Sequence, residues 1–213
     1  MPSARSQRFL GVAGLVFVAL FIASGSIAPQ TPNSHASAAK VIAYYHQHKT
    51  AIYVQAYIIE VAILEGIFFF WFLRDRLCVV VANRPLANVG FAGAVLFAAS
   101  GGISAGILWC LAETVNHVSP TVMQTLNVMQ NDFSGVLASA GVALFLVGTG
   151  IALIRSATLP RWLGWVAVVL AVVALALPGL GGPAAGLWIL IASIAMLVLA
   201  GRTTRAPIDT AAT

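Results

Sequence analysis

Six long apolar runs dominate the sequence, and each is bounded by charged residues or by clusters of proline and glycine. About 20 apolar residues in a helix cross the roughly 30 Å hydrocarbon core of a bilayer, so each run predicts a transmembrane helix. Open sheet edges are not tolerated in lipid, which also favours helices. The predicted spans are 9–28, 51–73, 86–111, 133–154, 162–177 and 184–200.

These spans leave no segment long enough for a separate water-soluble domain, so 1–213 is predicted to form one integral-membrane domain, an all-α polytopic bundle. Composition agrees, because 60% of the residues are hydrophobic and 8% are charged, whereas about a quarter of a soluble domain is charged. It also excludes a disordered chain, a collagen-like fibre and a disulfide scaffold. The two cysteines, Cys78 and Cys110, are predicted near opposite membrane faces and hence unpaired.

The distribution of basic residues predicts the orientation of the bundle. Nine of the eleven Lys and Arg residues lie at the termini and in loops two and four, and only Lys40 and Lys49 lie on the other side. Cytoplasmic loops are rich in such residues, so both termini are predicted in the cytoplasm and the protein in the cell membrane. The net charge of +5 then follows from topology, and no basic face or motif indicates a nucleic-acid partner. The nine are Arg5, Arg8, Arg74, Arg76, Arg84, Arg155, Arg161, Arg202 and Arg205.

The first span can also be interpreted as a cleaved signal peptide. Arg5 and Arg8 precede its apolar run, and the tripeptide 26–28 (Ser-Ile-Ala) resembles a small-residue cleavage site. Pro29 directly after this site, together with the length of the run, favours a retained helix.

Glycine and proline predict two packing features. The segment 178–183, with the sequence PGLGGP, is rich in helix breakers and predicts a tight turn, so the last two spans are predicted to be neighbours. Gly102 and Gly106 are four residues apart in span three, a spacing that lets another helix approach closely. We expect this small-residue face to pack inside the bundle rather than to form a dimer.

Four of the six acidic residues lie in or at the ends of predicted spans. An ionisable side chain at the bilayer centre costs at least about 2.5 kcal/mol, so it faces the bundle interior, finds a partner or stays neutral. Glu60 is predicted about 13 Å below the outer boundary, near the midplane, and Glu65 about 21 Å below it. Such residues are functional candidates by default. The four are Glu60, Glu65, Glu113 and Asp132.

The residues around the two deep acids differ. Tyr53, Tyr57 and Glu60 share one face of the predicted helix, which forms a polar, aromatic stripe from the outer surface to the acid. Glu65 points about 140° away and is followed by a run of aromatic residues, so its surroundings are predicted to be apolar. These aromatic residues include Phe68, Phe69 and Trp71.

Further polar groups converge on the predicted outer half. Gln124, Asn127, Asn131 and Ser134 are spaced three or four residues apart and share one face at the start of span four. We expect a cavity that opens outward, lined by carboxyl, amide and aromatic groups, with loop one (29–50) as a lid. The other groups expected there are Trp109, Glu113, His117, Gln130, Asp132, Tyr44, Tyr45, His46 and His48.

Each of these groups also has a structural interpretation. A buried Glu can join neighbouring helices by hydrogen bonds, Asp132 can be an interfacial helix-start charge, and Glu113 with His117 can be an exposed pair. The Tyr and Trp residues can be interface anchors. His46-x-His48 is a weak zinc signal without thiols or an HExxH motif, and we predict neither a metal nor a cofactor.

One motif resembles a known pattern. The sequence LPRWLGW at 159–165 resembles the start of a late helix in small bacterial multi-pass membrane proteins, most of which have no known function. The arrangement of loop one before a span ending in Arg74-Asp75-Arg76-Leu77 is similar. In this motif Pro160 suits a helix start and Trp162 the membrane interface.

A small helical bundle with a few embedded acids and aromatic walls is also similar in kind to the membrane-bound terpene cyclases. This resemblance implies that a carboxylic acid held neutral in a dry pocket protonates the prenyl chain of a lipophilic substrate, while aromatic faces stabilise the cation. The expected catalytic residues are Glu60, Asp132 and Glu65. The expected substrate-binding residues are Tyr53, Tyr57, Phe68, Trp71, Trp109, Glu113, Asn127 and Asn131.

Two other classes of function stay open. A non-catalytic membrane subunit would use the acids only in helix contacts. A small proton-coupled transporter would use them as a proton relay, although the sequence has no internal repeat or broken helix to favour it. The bilayer and a lipophilic small molecule are the expected partners, and the sequence does not indicate an oligomeric state.

Overall fold

The computed structural model describes residues 4–156 and 159–204, which form eight α-helices joined by short connections. Two short 3₁₀ turns (Val81–Asn83 and Pro178–Leu180) and one π-helical turn (Met129–Phe133) complete these described residues, which contain no strand, so the all-α prediction is confirmed. The helices are α1 (Ala4–Ile27), α2 (Ala38–Gln47), α3 (Lys49–Cys78), α4 (Arg84–Thr114), α5 (Pro120–Val128), α6 (Ser134–Arg155), α7 (Arg161–Ala176) and α8 (Gly181–Thr204).

Within the described part of the chain, five helices are long and apolar enough to cross a membrane, which supports an integral membrane protein. The predicted span at 162–177 corresponds to α7, an apolar helix of 16 residues. Arg205 lies outside the described residues, as do the side chains of Arg5, Ser134 and Arg202. The five candidate spans are Arg8–Ile27, Lys49–Cys78, Val81–Thr114, Pro120–Arg155 and Gly181–Gly201.

Helices α1, α3, α4, α6 and α8 form a closed ring in which each packs against the next, and α7 lies against α6 and α8. The contact of α7 with α8 confirms the predicted hairpin. At the centre, the ring of Phe145 lies 4.9 Å from that of Phe70 and 5.4 Å from that of Trp188, between centroids. Trp188 is fully buried, and its Nε1 donates a hydrogen bond of 3.0 Å to the Leu163 carbonyl, which links α8 to α7.

Helices α4 and α6 meet backbone to backbone at glycines other than the predicted pair. A Cβ atom on Gly141 would lie 2.5 Å from the Phe97 nitrogen, and one on Gly148 would lie 2.5 Å from the Gly90 nitrogen. Contrary to expectation, a Cβ on Gly106 would meet nothing within 4 Å, and one on Gly102 nothing closer than 3.8 Å. The close approach therefore lies in the half of α4 nearer its start.

Both cysteines are free thiols, as predicted. The end of the bundle that carries α2 and α5 is called the cap end below.

Candidate functional site

An apolar, partly open cavity of about 310 Å³ lies between the helices of the ring towards the cap end. Every helix of the ring contributes to its wall: Phe21 and Ser24 from α1, Ile59 from α3, Phe97, Ser100 and Ser104 from α4, Gly135 and Ala138 from α6, and Gly182 from α8. This space, to which all five helices contribute, is called the ring cavity below.

A smaller cavity of about 50 Å³ adjoins the ring cavity and extends between α1, α3 and α4. The two share Phe21, Ile59 and Phe97 in their walls. Phe17 and Phe70 also line the smaller cavity, with their ring centroids 5.8 Å apart. The smaller cavity therefore lies between the wall of the ring cavity and the aromatic residues of the bundle core.

The hydroxyl groups in the wall are already engaged in hydrogen bonds. Ser24 Oγ donates to the Phe21 carbonyl at 2.8 Å, and Ser100 Oγ donates to the Phe97 carbonyl at 2.6 Å. Because these donors are used within their own helices, the ring cavity offers an occupant mostly carbon surface. Such a lining suits an apolar chain rather than a charged or sugar-like molecule.

Loop one, which was expected to be a lid, contains the short helix α2 and packs as a cap on one end of the bundle. Ser37 caps the start of α2 by accepting a hydrogen bond from the Lys40 backbone nitrogen at 3.4 Å. Val41 and Tyr45 of α2 are fully buried against a second apolar cluster that includes Leu111 of α4 and Met123 of α5. Burial raises the pKa of Tyr45 well above its ordinary value, as it does to a lesser degree for Tyr44.

The amide face predicted at 124–134 holds this cap in place. Asn127, which is only 1% exposed, donates from Nδ2 to the carbonyls of Pro32 and Asn33 at 3.1 and 3.2 Å. Asn131 Nδ2 donates to the same Pro32 carbonyl at 3.0 Å, and Gln124 Nε2 donates to the Ala36 carbonyl at 3.2 Å. The structure thus brings Asn127 and Asn131 together, with their amide donors bound to the cap backbone.

A hydrogen bond joins the π turn to the wall of the ring cavity. Gln130 Nε2 donates to Ser104 Oγ at 2.6 Å, and Ser104 is part of the cavity wall. π turns inside helices are frequent at functional sites. Here the turn places the Gln130 amide against the Ser104 hydroxyl.

The three acids proposed as catalytic do not meet in the described cavities. Glu60 is exposed on the side of α3 that faces α4, where its Oε1 lies 3.8 Å from the position of a Cβ on Gly102. Glu65 is half-buried elsewhere on α3, and Asp132 is exposed in the π turn. None of the three lines the ring cavity or its extension.

Three of the predicted binding residues form a separate cluster at the cap end. The rings of Tyr53 and Trp109 lie 4.5 Å apart, and the Tyr53 hydroxyl donates a short hydrogen bond to Glu113. Lys49 Nζ lies 3.5 Å from the Glu113 carboxylate and 5.6 Å from the centre of the Tyr53 ring. This is an exposed ion-pair and aromatic cluster where α3 begins and α4 ends.

The remaining predicted binding residues point outward. Tyr57 is 67% exposed, Phe68 58% and Trp71 49%, and all three lie on the surface of α3. Trp71 also lies under the Arg74 guanidinium, 5.1 Å from it. Aromatic side chains in such positions face lipid or its interface rather than an internal site.

Sequence reasoning missed the residues that line the ring cavity. Phe21, Ile59, Phe97 and Ala138 resemble any other apolar residue of a span, so no chemical signal distinguishes them. The available sequence signal for a cavity was a group of small residues after an aromatic residue, as in 21–26 and 97–104. The small residues near 102 were expected to pack against a neighbouring helix, and 21–26 gave no expectation of a cavity.

Residues 4–156 and 159–204 thus form an all-helical protein of the integral-membrane type, with an apolar cavity between five helices and a hydrogen-bonded cap at the same end. Within the described ranges, no three His, Cys, Asp or Glu side chains are grouped so as to hold a metal ion. No protein-family model, curated protein or solved structure matches the chain.

Proposed function

We propose that this protein binds a lipophilic small molecule in the ring cavity, in the half of the cell membrane that faces outward. The observation that carries this proposal is the cavity itself. It has a volume of about 310 Å³, and all five helices of the ring contribute to its apolar wall. Ligand sites are concave, mostly apolar spaces of roughly 300–1,000 Å³. The hydrogen-bonded cap over one end would shield such an occupant from water.

The proposed topology has six spans with both termini in the cytoplasm. Lys40 and Lys49 belong to the cap end, whereas the five arginines of the connections at the opposite end favour a cytoplasmic position there. α7 serves as the sixth span, because its 16 residues extend about 24 Å and local thinning of the bilayer accommodates such a mismatch. The five arginines are Arg74, Arg76, Arg84, Arg155 and Arg161.

A cavity-filling substitution tests the binding proposal. A Cβ on Gly135 would meet nothing within 4 Å, so Gly135→Leu projects into the cavity without a backbone clash. Gly106→Leu is a matched control, because its Cβ also meets open space and Gly106 lies outside the cavity wall. Mass spectrometry of lipophilic molecules extracted from each purified protein is expected to show a bound species lost only in Gly135→Leu. Equal recovery from all three proteins would contradict the proposal.

Cyclisation of a prenyl chain is a second candidate function. Ile59 and Gly101 line the ring cavity, and the next residues, Glu60 and Gly102, lie together beside that wall. Glu60 is therefore the acid for which a small movement of α3 would bring a carboxyl group to the cavity. Its proton would add to an alkene carbon, a neighbouring alkene would form the new C–C bond, and loss of a proton would leave an isomer of equal mass. The aromatic rings of Phe21 and Phe97 would stabilise the cation.

The second candidate needs a direct assay of the reaction. Membranes containing the protein are incubated with prenylated aromatic acceptors, and mass spectrometry looks for an isomer with a new retention time. Glu60→Gln is expected to abolish the isomer, whereas Glu65→Gln and Asp132→Asn are expected to keep it, because these two acids do not adjoin the cavity wall. Binding without conversion would assign the protein to the non-catalytic class, as a subunit or carrier.

A further inference from the structure

A groove of about 410 Å³ runs along the outside of the bundle between α1 and α8. Val18 and Ile22 of α1 and Leu187 and Leu190 of α8 contribute carbon surface to it. Ile22 is 62% exposed and Leu187 50%, so the groove opens towards the bilayer rather than into the bundle.

The groove and the ring cavity share two residues, Phe21 and Gly25. Phe21 is 37% exposed, and its Cζ lies 3.2 Å from the position of a Cβ on Gly182 at the start of α8. The Phe21 ring therefore stands between the two spaces and bridges towards α8. Partly exposed side chains such as Phe21 change rotamer on the picosecond-to-nanosecond timescale.

Glycines keep this passage free of other side chains. A Cβ on Gly25 would meet nothing within 4 Å, and the same holds for Gly186, which lines the groove from α8. The two helices thus pack without side chains at these positions, and the gap between them stays open beside Phe21.

At the cap end, hydrogen bonds fix the segments next to the ring cavity. Asn127 holds the cap segment by two hydrogen bonds, and Gln130 donates a hydrogen bond to Ser104 of the cavity wall. We propose that the groove is a lateral opening through which the apolar chain of a ligand dissolved in the bilayer passes Phe21 into the ring cavity. This inference rests on the proposed function, because it names the route to the same cavity.

The rate of ligand arrival tests this route. A long-chain alcohol carrying a diazirine is added from phosphatidylcholine vesicles to the reconstituted protein, and light is applied after increasing delays. Peptide mapping then measures labelling of the cavity wall near Phe97 and Ala138. Gly186→Leu, which fills the groove but not the cavity, is expected to slow labelling several-fold with the same plateau. Phe21→Ala is expected to accelerate it, and Gly106→Leu serves as the matched control.

Two results would overturn the inference, and they are distinguishable. Wild-type rates in both Gly186→Leu and Phe21→Ala, with the cavity labelled normally, would reject the lateral route while the binding function stands. Absence of cavity labelling in the wild-type protein would reject the binding function and the route together. Gly186 has open space around it, so the Gly186→Leu protein is expected to fold.

Discussion

Asn127 and Pro32 are 95 residues apart in the chain, yet the Asn127 side chain donates a hydrogen bond of 3.1 Å to the Pro32 carbonyl. Asn131 donates to the same oxygen at 3.0 Å. Because Asn127 is buried, these bonds are shielded from competing water. The cap is therefore fastened to the bundle by specific amides as well as by apolar packing.

Asn127→Ala is expected to loosen the cap. The substitution removes the Asn127 bonds to the Pro32 and Asn33 carbonyls and leaves the buried Tyr45 hydroxyl without the Asn127 oxygen that accepts from it, and an unsatisfied buried polar group costs about 1–3 kcal/mol. Amide hydrogen exchange of 30–48 in lipid nanodiscs is expected to accelerate while exchange in α6 and α8 is unchanged. Thr125→Ala is the control, since Thr125 is exposed and bonds only within its own helix. Unchanged exchange in Asn127→Ala would show that apolar packing alone holds the cap.

The pH dependence of the cap is predicted to reside in Tyr45. Burial, with a smaller contribution from Tyr44, raises the pKa of Tyr45 above 10.0, its ordinary value. Below pH 10 the Tyr45 phenol is neutral whether the cap is closed or open, so Tyr45 adds no pH dependence to stability there. Above pH 10 the Tyr45 phenol ionises first in the open state, so the stability of the closed cap falls as pH rises. Tyr45→Phe removes this ionisation, so melting temperatures between pH 8 and pH 11 are expected to fall less steeply than in the wild type. Parallel curves would exclude Tyr45 as the titrating group.

The α4–α6 contact predicts opposite effects for two glycines. A Cβ on Gly141 would lie 2.5 Å from the Phe97 nitrogen, which is backbone and cannot move aside alone. Gly141→Ala is expected to destabilise the protein by about 1–3 kcal/mol or more through overpacking. Gly106→Ala meets open space and is expected to stabilise α4 by up to about 1 kcal/mol through helix propensity. Thermal unfolding in detergent compares the two, and a tolerated Gly141→Ala would mean that the helices are further apart.

Trp188 is predicted to be the most sensitive tryptophan in the bundle core. Trp188→Phe removes its hydrogen bond to the Leu163 carbonyl and part of its packing on Phe145, for a total of about 1–3 kcal/mol. Trp165→Phe is the control, because Trp165 is 61% exposed and its loss changes no buried contact of the core. Denaturation followed by circular dichroism measures both. Equal losses would place the stabilising role of Trp188 in doubt.

The sequence predicted the helices well because their signal is local. Runs of apolar residues, the arginines that end them and the prolines at 85, 120 and 160 are all properties of adjacent residues. The start of span four was placed at 133, whereas the helix begins at Pro120 and passes through the π turn. Polar residues such as Gln124 and Asn127 hid this extension, since a polar helix beneath a cap resembles a loop in hydropathy.

The candidate site was less predictable because it depends on which face of each helix meets which neighbour. The amide face was recognised from its spacing, but its partners are backbone carbonyls of 32–36, which no side-chain pattern reveals. The glycines were recognised as small, yet only the packed structure distinguishes Gly141, against a backbone, from Gly106, in open space. An acidic residue in a span indicates a free-energy cost of membrane insertion. Its position in the sequence does not show whether its side chain lies in a cavity or beside one.

The π turn at 129–133 has a consequence for the phase of the long helix from Pro120 to Arg155. It holds one residue more than a regular turn, and each residue of an α-helix advances the direction of the side chains by about 100°. The amides before the turn therefore meet the cap, while the glycines after it meet α4. Deletion of a single residue between 129 and 133 would restore a regular helix. Either the amides would then meet the cap or the glycines would meet α4, but not both.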